Sequence, residues 1–145
     1  MNVELLSPHE LHRVIPIAEA FCTEAGNPAF DYEAFKQLWY PLLESGTGEI
    51  YFLEQDNAVI GLIGFIMLPK DPFFGRSTAL EQFWFVSKEH RTSGVGLLLL
   101  DVFEERTKNY EDQVLVHLTA CGNFLHKVYE RRGYKLTEQT FKKSK

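Results

Sequence analysis

The chain has 145 residues, a length that fits one domain with a substantial core and is too short for two ordinary domains. Its hydrophobic content of 45% predicts a folded chain, and its formal net charge of -5 argues against broad nucleic-acid binding. We found no signal-peptide pattern, no membrane-spanning run and no metal-type cysteine spacing, so we expect a single cytoplasmic domain over residues 1–145, without metal.

The N-terminal part is predicted to contain one strand and two helices. Val3 to Leu6 is predicted as a short strand. The segment Ser7-Pro8-His9-Glu10 combines a capping box with proline at the first helical position, which predicts a helix start. Apolar residues at helical spacing follow until Gly26-Asn27-Pro28. A second helix is predicted from Asp31, and Pro41 is expected to end or kink it because proline lacks an amide proton.

The middle of the chain is predicted to form three strands. Ile50 to Gln55 and Ala58 to Leu68 are predicted as strands joined by a tight turn at Asp56-Asn57. Lys70 to Gly75 is predicted as a loop, and Ala79 to Val86 as the next strand.

The C-terminal part alternates helices with strands. Gly94 to Lys108 is predicted as a helix, Gln113 to Leu118 as a strand and Gly122 to Arg132 as a helix that ends at Gly133. Tyr134 to Thr140 is predicted as a last strand. This order predicts a mixed α/β domain.

The most informative stretch is the turn from Arg91 to Gly96, between a predicted strand and a predicted helix. Its glycines let backbone approach a ligand, and the first amides of a helix attract anions such as phosphate. Arg91 can add a charge-assisted contact. A Walker loop would need a lysine here, and a dinucleotide fingerprint would need a third glycine near Leu99. The glycines alone also leave open a turn that binds nothing.

Two sequence blocks carry a resemblance to a known family. Val86, Arg91-x-x-Gly94-x-Gly96 and the leucine-rich helix that follows resemble the coenzyme A motif of the GNAT (GCN5-related N-acetyltransferase) superfamily. The block from Val128 to Tyr134 resembles the family's later Leu-Tyr-Glu-x-x-Gly-Phe signature. The resemblance implies an α/β acyl-CoA N-acyltransferase fold. It has a central mixed, twisted sheet of six to seven strands flanked by about four helices, with the fourth and fifth strands splayed apart.

The resemblance implies acetyl-CoA as co-substrate and a primary amine of a small molecule or peptide as acceptor, with a homodimer as a possible assembly. Backbone groups of Phe85 and Val86 would pair with the pantetheine arm. The segments 30–43 and 70–78 would shape the acceptor pocket. The pyrophosphate would be bound by Arg91 and by amides of the turn and the first helical residues: Thr92, Ser93, Gly94, Val95, Gly96 and Leu97.

The resemblance also implies direct attack of a neutral amine on the thioester in a ternary complex, with Tyr129 as acid toward the sulfur. The family's strand glutamate falls where this chain has Gln82, and the nearest carboxylate is Glu81. A shift of one residue turns a side chain to the opposite face of a sheet unless a bulge restores it. His117 is a second candidate base, because histidine titrates near neutral pH, and a water chain is a third.

Two further residues lie at the start of the last predicted helix and just before it. Asn123 precedes Tyr129 by six residues, where the family has an asparagine at seven, so it is expected to contact the coenzyme or only to cap the helix. Cys121 lacks the His and Asp arrangement that would support a role as a nucleophile, so it is expected to be buried or incidental. The rival hypothesis is a non-catalytic acyl-CoA-binding or regulatory module, which Gln82 favours because it replaces the expected base.

Overall fold

A computed structural model of the protein describes residues 2–116 and 124–145. Three residues singled out from the sequence lie outside these ranges, namely the candidate base His117, the candidate coenzyme contact Asn123, and Cys121. The predicted strand and helix ends at Leu118 and Gly122 lie outside them as well.

The described residues form five strands, four α-helices and two short 3-10 helices. The strands are β1 (Val3–Leu5), β2 (Gly48–Gln55), β3 (Ala58–Leu68), β4 (Thr78–Val86) and β5 (Asp112–Val114). The α-helices are α1 (Ile15–Glu24), α2 (Tyr32–Ser45), α3 (Val95–Arg106) and α4 (Phe124–Arg131). The 3-10 helices are Pro8–Val14 and Lys88–His90.

The strands form one mixed sheet in the order β1-β2-β3-β4-β5. The three pairs formed by β1 to β4 are antiparallel, and β5 runs parallel to β4. Asp56 and Asn57 join β2 to β3 with φ values of 53° and 62°, which is the left-handed backbone of a two-residue hairpin turn. The mixed α/β class and the hairpin are confirmed, but the described sheet has five strands rather than the expected six to seven.

The predicted strand from Tyr134 to Thr140 is wrong. Gly133 adopts a φ of +90°, and the amide of Tyr134 turns back to donate to the carbonyl of Tyr129 at 2.9 Å. Beyond this point the chain has no regular secondary structure. Leu136 is 74% exposed and Phe141 93% exposed. With so few apolar residues, the segment has no alternating face to bury against the core.

Two prolines modify the helices of the N-terminal part. The predicted first helix divides into the 3-10 helix Pro8–Val14 and α1, and Pro16 stands in the first turn of α1, where a missing amide proton costs little. Pro41 does not end α2, which continues to Ser45 and stops at Gly46 with a φ of +78°. Pro41 is exposed, so water can satisfy the carbonyl group that its ring leaves unbonded.

Apolar side chains cover both faces of the sheet. One face packs against α3, with a core that includes Ile63, Phe65, Val86, Val95, Leu99 and Phe103. The opposite face packs against the 3-10 helix Pro8–Val14, α1 and α2, with a core that includes Leu11, Val14, Trp39, Phe52, Leu62 and Phe85. These two surfaces are called the α3 face and the α1–α2 face below.

The pairing of β4 changes near its middle. Phe83 pairs with Gly64 of β3, but Phe65 pairs with Glu81, so Gln82 is the extra residue of a β-bulge. On the other side, the described pairs between β4 and β5 run only from Thr78 to Leu80. The bulge therefore lies where the described parallel pairing ends.

Candidate active site

The turn that precedes α3 is open to a ligand. Gly94 is the N-cap residue of α3 with a φ of +83°, and no atom lies within 4 Å of the position that a Cβ would take. The carbonyl of Gly94 accepts from the amide of Leu98 at 3.1 Å, so the amides of Val95, Gly96 and Leu97 precede the first bond within the helix. Such an arrangement fits a diphosphate group.

The start of α3 is held close against the sheet. A Cβ on Gly61 of β3 would lie 2.8 Å from Cγ1 of Val95 and 3.1 Å from Cδ1 of Leu99. Both of these α3 side chains are fully buried. The absence of a side chain at Gly61 therefore fixes how near the helix N-terminus approaches β3.

The residues of the turn itself are exposed. Thr92, Ser93 and Gly94 all face solvent. The Ser93 hydroxyl donates to the carbonyl of His90 at 2.5 Å, and the Ser87 hydroxyl lies 2.8 Å from Nδ1 of His90. These contacts brace the turn without covering it.

Arg91 connects the turn to α1. Its guanidinium forms a two-pronged ion pair with Glu24, at the end of α1, which lowers the pKa of that carboxyl. Nε donates to the carbonyl of Val86 at 3.1 Å, and the guanidinium carbon lies 5.3 Å from the centre of the Phe85 ring. Glu24 was missed by the sequence analysis, since only the fold brings together residues 67 positions apart.

The two residues expected to pair with pantetheine lie at the end of β4. Phe85 and Val86 are both buried, but their side chains point to opposite faces of the sheet. The Phe85 ring contacts Phe21 of α1 in an edge-to-face arrangement with centres 5.0 Å apart. The Val86 carbonyl already accepts from Arg91, and it retains a second lone pair for another donor.

The bulge decides which face receives Glu81. Directly paired residues lie on the same face, and Phe65, the partner of Glu81, belongs to the core of the α3 face. Trp84 and Val86 lie on this face too. Without a bulge, strict alternation back from Trp84 would turn Gln82 to this face and Glu81 to the α1–α2 face. A bulge was the condition for Glu81 to replace the family glutamate, and the structure contains one.

Glu81 is a buried carboxyl group, only 3% exposed. Burial raises its pKa to about 8, and a hydrogen bond from the Val116 backbone opposes this shift without cancelling it. No ion pair with Glu81 occurs among residues 2–116 and 124–145. A carboxyl group in this state exchanges its proton near neutral pH.

Tyr129 lies half-buried on α4. Its ring centre is 6.3 Å from that of Trp84 and 6.2 Å from that of Tyr134. Arg132, just past the end of α4, pairs with Asp101 of α3 at 2.8 Å and also with Glu104. Tyr129 is thus presented by a helix that is tied to α3.

The second sequence block also has a structural role. Besides the Arg132 pair, the Tyr134 hydroxyl donates to Glu104 at 3.1 Å. Burial and the neighbouring carboxylate raise the pKa of Tyr134. The block therefore both carries Tyr129 and binds the C-terminal part of the chain to α3.

One polar atom of this region was not anticipated. The indole nitrogen of Trp84 is sealed from solvent, and no hydrogen-bond partner for it is found in the described structure. The sequence alone does not show where the ring nitrogen of a tryptophan on this strand points.

The segments expected to shape the acceptor pocket are partly exposed. In the loop between β3 and β4, Phe73 and Phe74 are 88% and 81% exposed. Their amides donate to Oδ1 of Asp71 at 2.8 Å and 2.5 Å, so a structured turn presents both rings.

Residues 2–116 and 124–145 contain no group of three or more His, Cys, Asp or Glu residues arranged to hold a metal ion. None of their helices combines the length and apolar character needed to cross a membrane.

The fold and the family were compared with those of known proteins. A ribosomal-protein-alanine N-acetyltransferase from Brucella melitensis biovar Abortus 2308 superposes with a TM-score of 0.70, at 20% identity over 99% of both chains. A predicted acetyltransferase from Clostridium acetobutylicum, crystallised with acetyl-CoA, gives 0.79 at 15% identity over 99% of this chain and 95% of that one. An aminoglycoside acetyltransferase from an uncultured soil metagenomic sample gives 0.71 at 15% identity over 99% and 94%.

No curated protein matches the sequence. The model of the acetyltransferase (GNAT) family matches residues 11–134, which include both the turn before α3 and the block around Tyr129. The likeness to the solved structures covers almost the whole chain at low identity and reports the fold. The match over most of the sequence shows that the chain belongs to the acetyltransferase (GNAT) family.

Proposed function

We propose that the protein transfers an acetyl group from acetyl-CoA to a primary amine of a small molecule or peptide, within a single domain over residues 1–145. The observation that carries this proposal is the bulge at Gln82, which turns the buried carboxyl group of Glu81 to the α3 face. The turn that fits a diphosphate and the ring of Tyr129 belong to elements packed on the same face.

Acetyl-CoA, when bound, supplies an activated thioester. The amides from Thr92 to Leu97 would hold its pyrophosphate at the positive end of the α3 dipole. Backbone groups of Phe85 and Val86 would align the pantetheine arm along β4. An amide at the same place would donate to the oxygen that gains charge during the transfer, which is a major source of rate enhancement in acyl transfer.

Glu81 is the general base of this proposal. An amine is protonated near neutral pH, and it must lose a proton before it can attack. A base works best when its pKa is near the operating pH, and burial brings the pKa of Glu81 to about 8. The ionised carboxylate takes the proton from the amine, either directly or through a water molecule.

Tyr129 is the acid of this proposal. The departing sulfur needs a proton or an equivalent hydrogen bond, and the hydroxyl group of Tyr129 can provide either. The ion pairs of Arg132 with α3 hold the helix that carries this residue. A fixed helix is a suitable support because proton transfer depends on short, aligned distances.

The rival function, a binding module without catalysis, had its support in Gln82. The bulge counts against this rival, because it turns Glu81 to the face on which α3 packs, near Tyr129. No other feature of the described residues favours the rival over catalysis.

The acceptor is proposed as a cationic amine presented between the segments 30–43 and 70–78. The net charge of -5 suits a positively charged substrate. The names of two similar structures include a ribosomal-protein alanine and an aminoglycoside as acceptors of those proteins. A panel for this protein should therefore contain peptides with free N-termini and polyamine-like small molecules.

Two measurements test the proposal. Acetyl-CoA should raise the melting temperature in a titration, since a ligand that binds only the folded state stabilises it. An acetylation screen that detects the released thiol should then find turnover with at least one amine. The absence of a thermal shift at millimolar acetyl-CoA contradicts the proposed binding, and binding without turnover across the panel favours the non-catalytic module.

The variant Tyr129→Phe tests the acid. It should lower kcat by about 100-fold or more while acetyl-CoA still binds. Tyr110→Phe is the matched control, because Tyr110 lies after α3 and outside both motif blocks. Equal turnover in Tyr129→Phe and the control would remove Tyr129 from the mechanism.

A further inference from the structure

Trp84 contains a buried hydrogen-bond donor that has no partner among the residues that the structure describes. In the described part of the chain, its Nε1 is the only buried side-chain nitrogen or oxygen atom without a hydrogen-bond partner. Folded proteins rarely bury an unpaired donor, because the lost contact with water is not repaid. The other tryptophan, Trp39, is more deeply buried on the α1–α2 face and shows no such atom.

Packing alone does not account for a tryptophan at this position. Trp84 lies among apolar neighbours of the α3 face, where a phenylalanine or leucine would fill space without adding a polar atom. The indole nitrogen is therefore a cost in the free protein, and a bound group that accepts its proton would offset this cost.

Trp84 is close to two parts of the proposed site. A Cβ on Gly96, in the first turn of α3, would lie 3.7 Å from Cζ2 of Trp84 and 4.0 Å from its Nε1. The indole edge that carries the proton thus borders the helix N-terminus. The Tyr129 ring centre is 6.3 Å from that of Trp84.

The two neighbours of Trp84, the N-terminus of α3 and Tyr129, are proposed to hold two separate parts of the coenzyme. In the proposed function, the helix N-terminus holds the pyrophosphate and Tyr129 meets the sulfur. The part of coenzyme A that joins them is the pantetheine arm, which has two amide carbonyl groups. We propose that the indole N–H of Trp84 donates a hydrogen bond to one of these carbonyl oxygens and positions the arm. This inference rests on the proposed function.

The donor is sealed from water in the free protein, so the arm reaches it only when a neighbouring side chain moves aside. Tyr129 is a described aromatic neighbour of the indole ring, and a shift of its ring on binding would open a path to the nitrogen. Trp84 is a positioning residue in this proposal, because it contacts the arm and takes no part in proton transfer.

Nuclear magnetic resonance tests the contact directly. The chain has two tryptophans, so ¹⁵N labelling of tryptophan gives two indole N–H signals, and Trp39 serves as an internal control. Coenzyme A should move the Trp84 proton signal downfield and slow its exchange with solvent. The probe 3′-phosphoadenosine 5′-diphosphate lacks the pantetheine arm and should leave this signal almost unchanged. An equal shift with both ligands would assign the donor to a phosphate oxygen and overturn the proposal.

A nearly isosteric replacement separates the hydrogen bond from packing. Site-specific β-(3-benzothienyl)alanine at position 84 keeps the shape of the ring and replaces its N–H with sulfur. The Kd for coenzyme A should rise by about 2- to 12-fold, the usual worth of one hydrogen bond, and the Kd for the truncated probe should not change. The melting temperature of the free variant should equal or exceed that of the natural protein. Unchanged Kd values for both ligands would assign Trp84 to packing alone.

Failure of the proposed function has a different signature. In that case the natural protein binds neither coenzyme A nor the truncated probe in the thermal titration. If the natural protein binds both ligands and the Trp84 signal and Kd values do not respond to the arm, only the inference about Trp84 is overturned.

Discussion

Two glutamates flank the same phenylalanine on the α3 face, and they differ in their partners. Phe65 of β3 pairs with Glu49 of β2 on one side and with Glu81 of β4 on the other. The two carboxyl groups are similarly buried, at 8% and 3% exposure. Glu49 receives two hydrogen bonds from Arg106 of α3, at 3.0 Å and 2.9 Å. In the described structure Glu81 has no ion pair, and its pKa rises to about 8.

The difference shows how one row of a sheet can hold a structural charge and a reactive one. An arginine keeps a buried carboxylate ionised, and its removal leaves an uncompensated charge. A buried carboxyl group without such a partner keeps its proton to a higher pH. Arg106, placed by the far end of α3, therefore separates the expected role of Glu49 in stability from the proposed role of Glu81 in proton transfer.

The largest expected effect comes from Glu81→Gln, which retains the shape of the side chain and removes the proposed base. The rate should fall by about 10²- to 10⁴-fold with acetyl-CoA affinity retained. In the natural protein, kcat/KM should rise with pH and level off above about 8, where Glu81 is ionised. Glu49→Gln is the matched control and should change the rate per folded molecule only a few-fold. A similar loss of rate in Glu81→Gln and Glu49→Gln would contradict the role of Glu81 as the base.

The second effect is a pH dependence of stability. The folded pKa of Glu81 lies above the unfolded value of 4.5, so the folded state holds a proton that the unfolded state releases. This contribution is complete below about pH 4.5 and is lost as the pH rises through 8. Between about pH 5 and pH 8, the free energy of unfolding should fall by up to about 1.4 kcal/mol per pH unit relative to Glu81→Gln. Urea denaturation of both proteins across this range measures the difference. If the free energy of unfolding varies with pH in the same way in both proteins, the raised pKa of Glu81 is contradicted.

The third prediction concerns Arg106→Met, which leaves the Glu49 carboxyl group without its ion-pair partner. Methionine keeps much of the apolar stem of the arginine. Because Arg106 is half exposed, the expected loss is about 1–3 kcal/mol rather than that of a fully buried pair. Urea denaturation of the variant and of the natural protein measures the loss. An unchanged free energy of unfolding would show that water replaces the arginine.

The smallest effect is expected at an exposed pair. Glu24→Gln removes one ion-pair partner of Arg91, and both side chains are about 40% exposed, at 45% and 39%. The free energy of unfolding should therefore change by only about 0–1 kcal/mol. The Kd for acetyl-CoA is the more sensitive readout, and it should fall because Glu24 no longer competes with the pyrophosphate for the guanidinium. A higher Kd would show that Glu24 positions the arginine rather than competing for it.

Local signals in the sequence identified much of the fold and of the turn. The hairpin at Asp56-Asn57 and the glycine before α3 both depend on backbone conformations that few residue types accept, so composition reveals them. The strand predicted after Gly133 failed because propensity carries no information about whether a segment finds a face to cover. The partner of Glu49 was not predictable either, since Arg106 is 57 residues away and its reach depends on how α3 lies on the sheet.

The bulge at Gln82 has a consequence for how relatives of this protein are found. Counting residues back from Val86 along the chain leads to Gln82 and suggests that the base is lost. Counting neighbours across the sheet from Phe65 leads to Glu81. The two counts differ by the one extra residue of the bulge, and a sequence alignment records only the count along the chain. Some sequences will have an acidic residue one alignment position before that of the family glutamate, opposite a glycine-aromatic pair like Gly64-Phe65. They should therefore be assayed before they are grouped with inactive members.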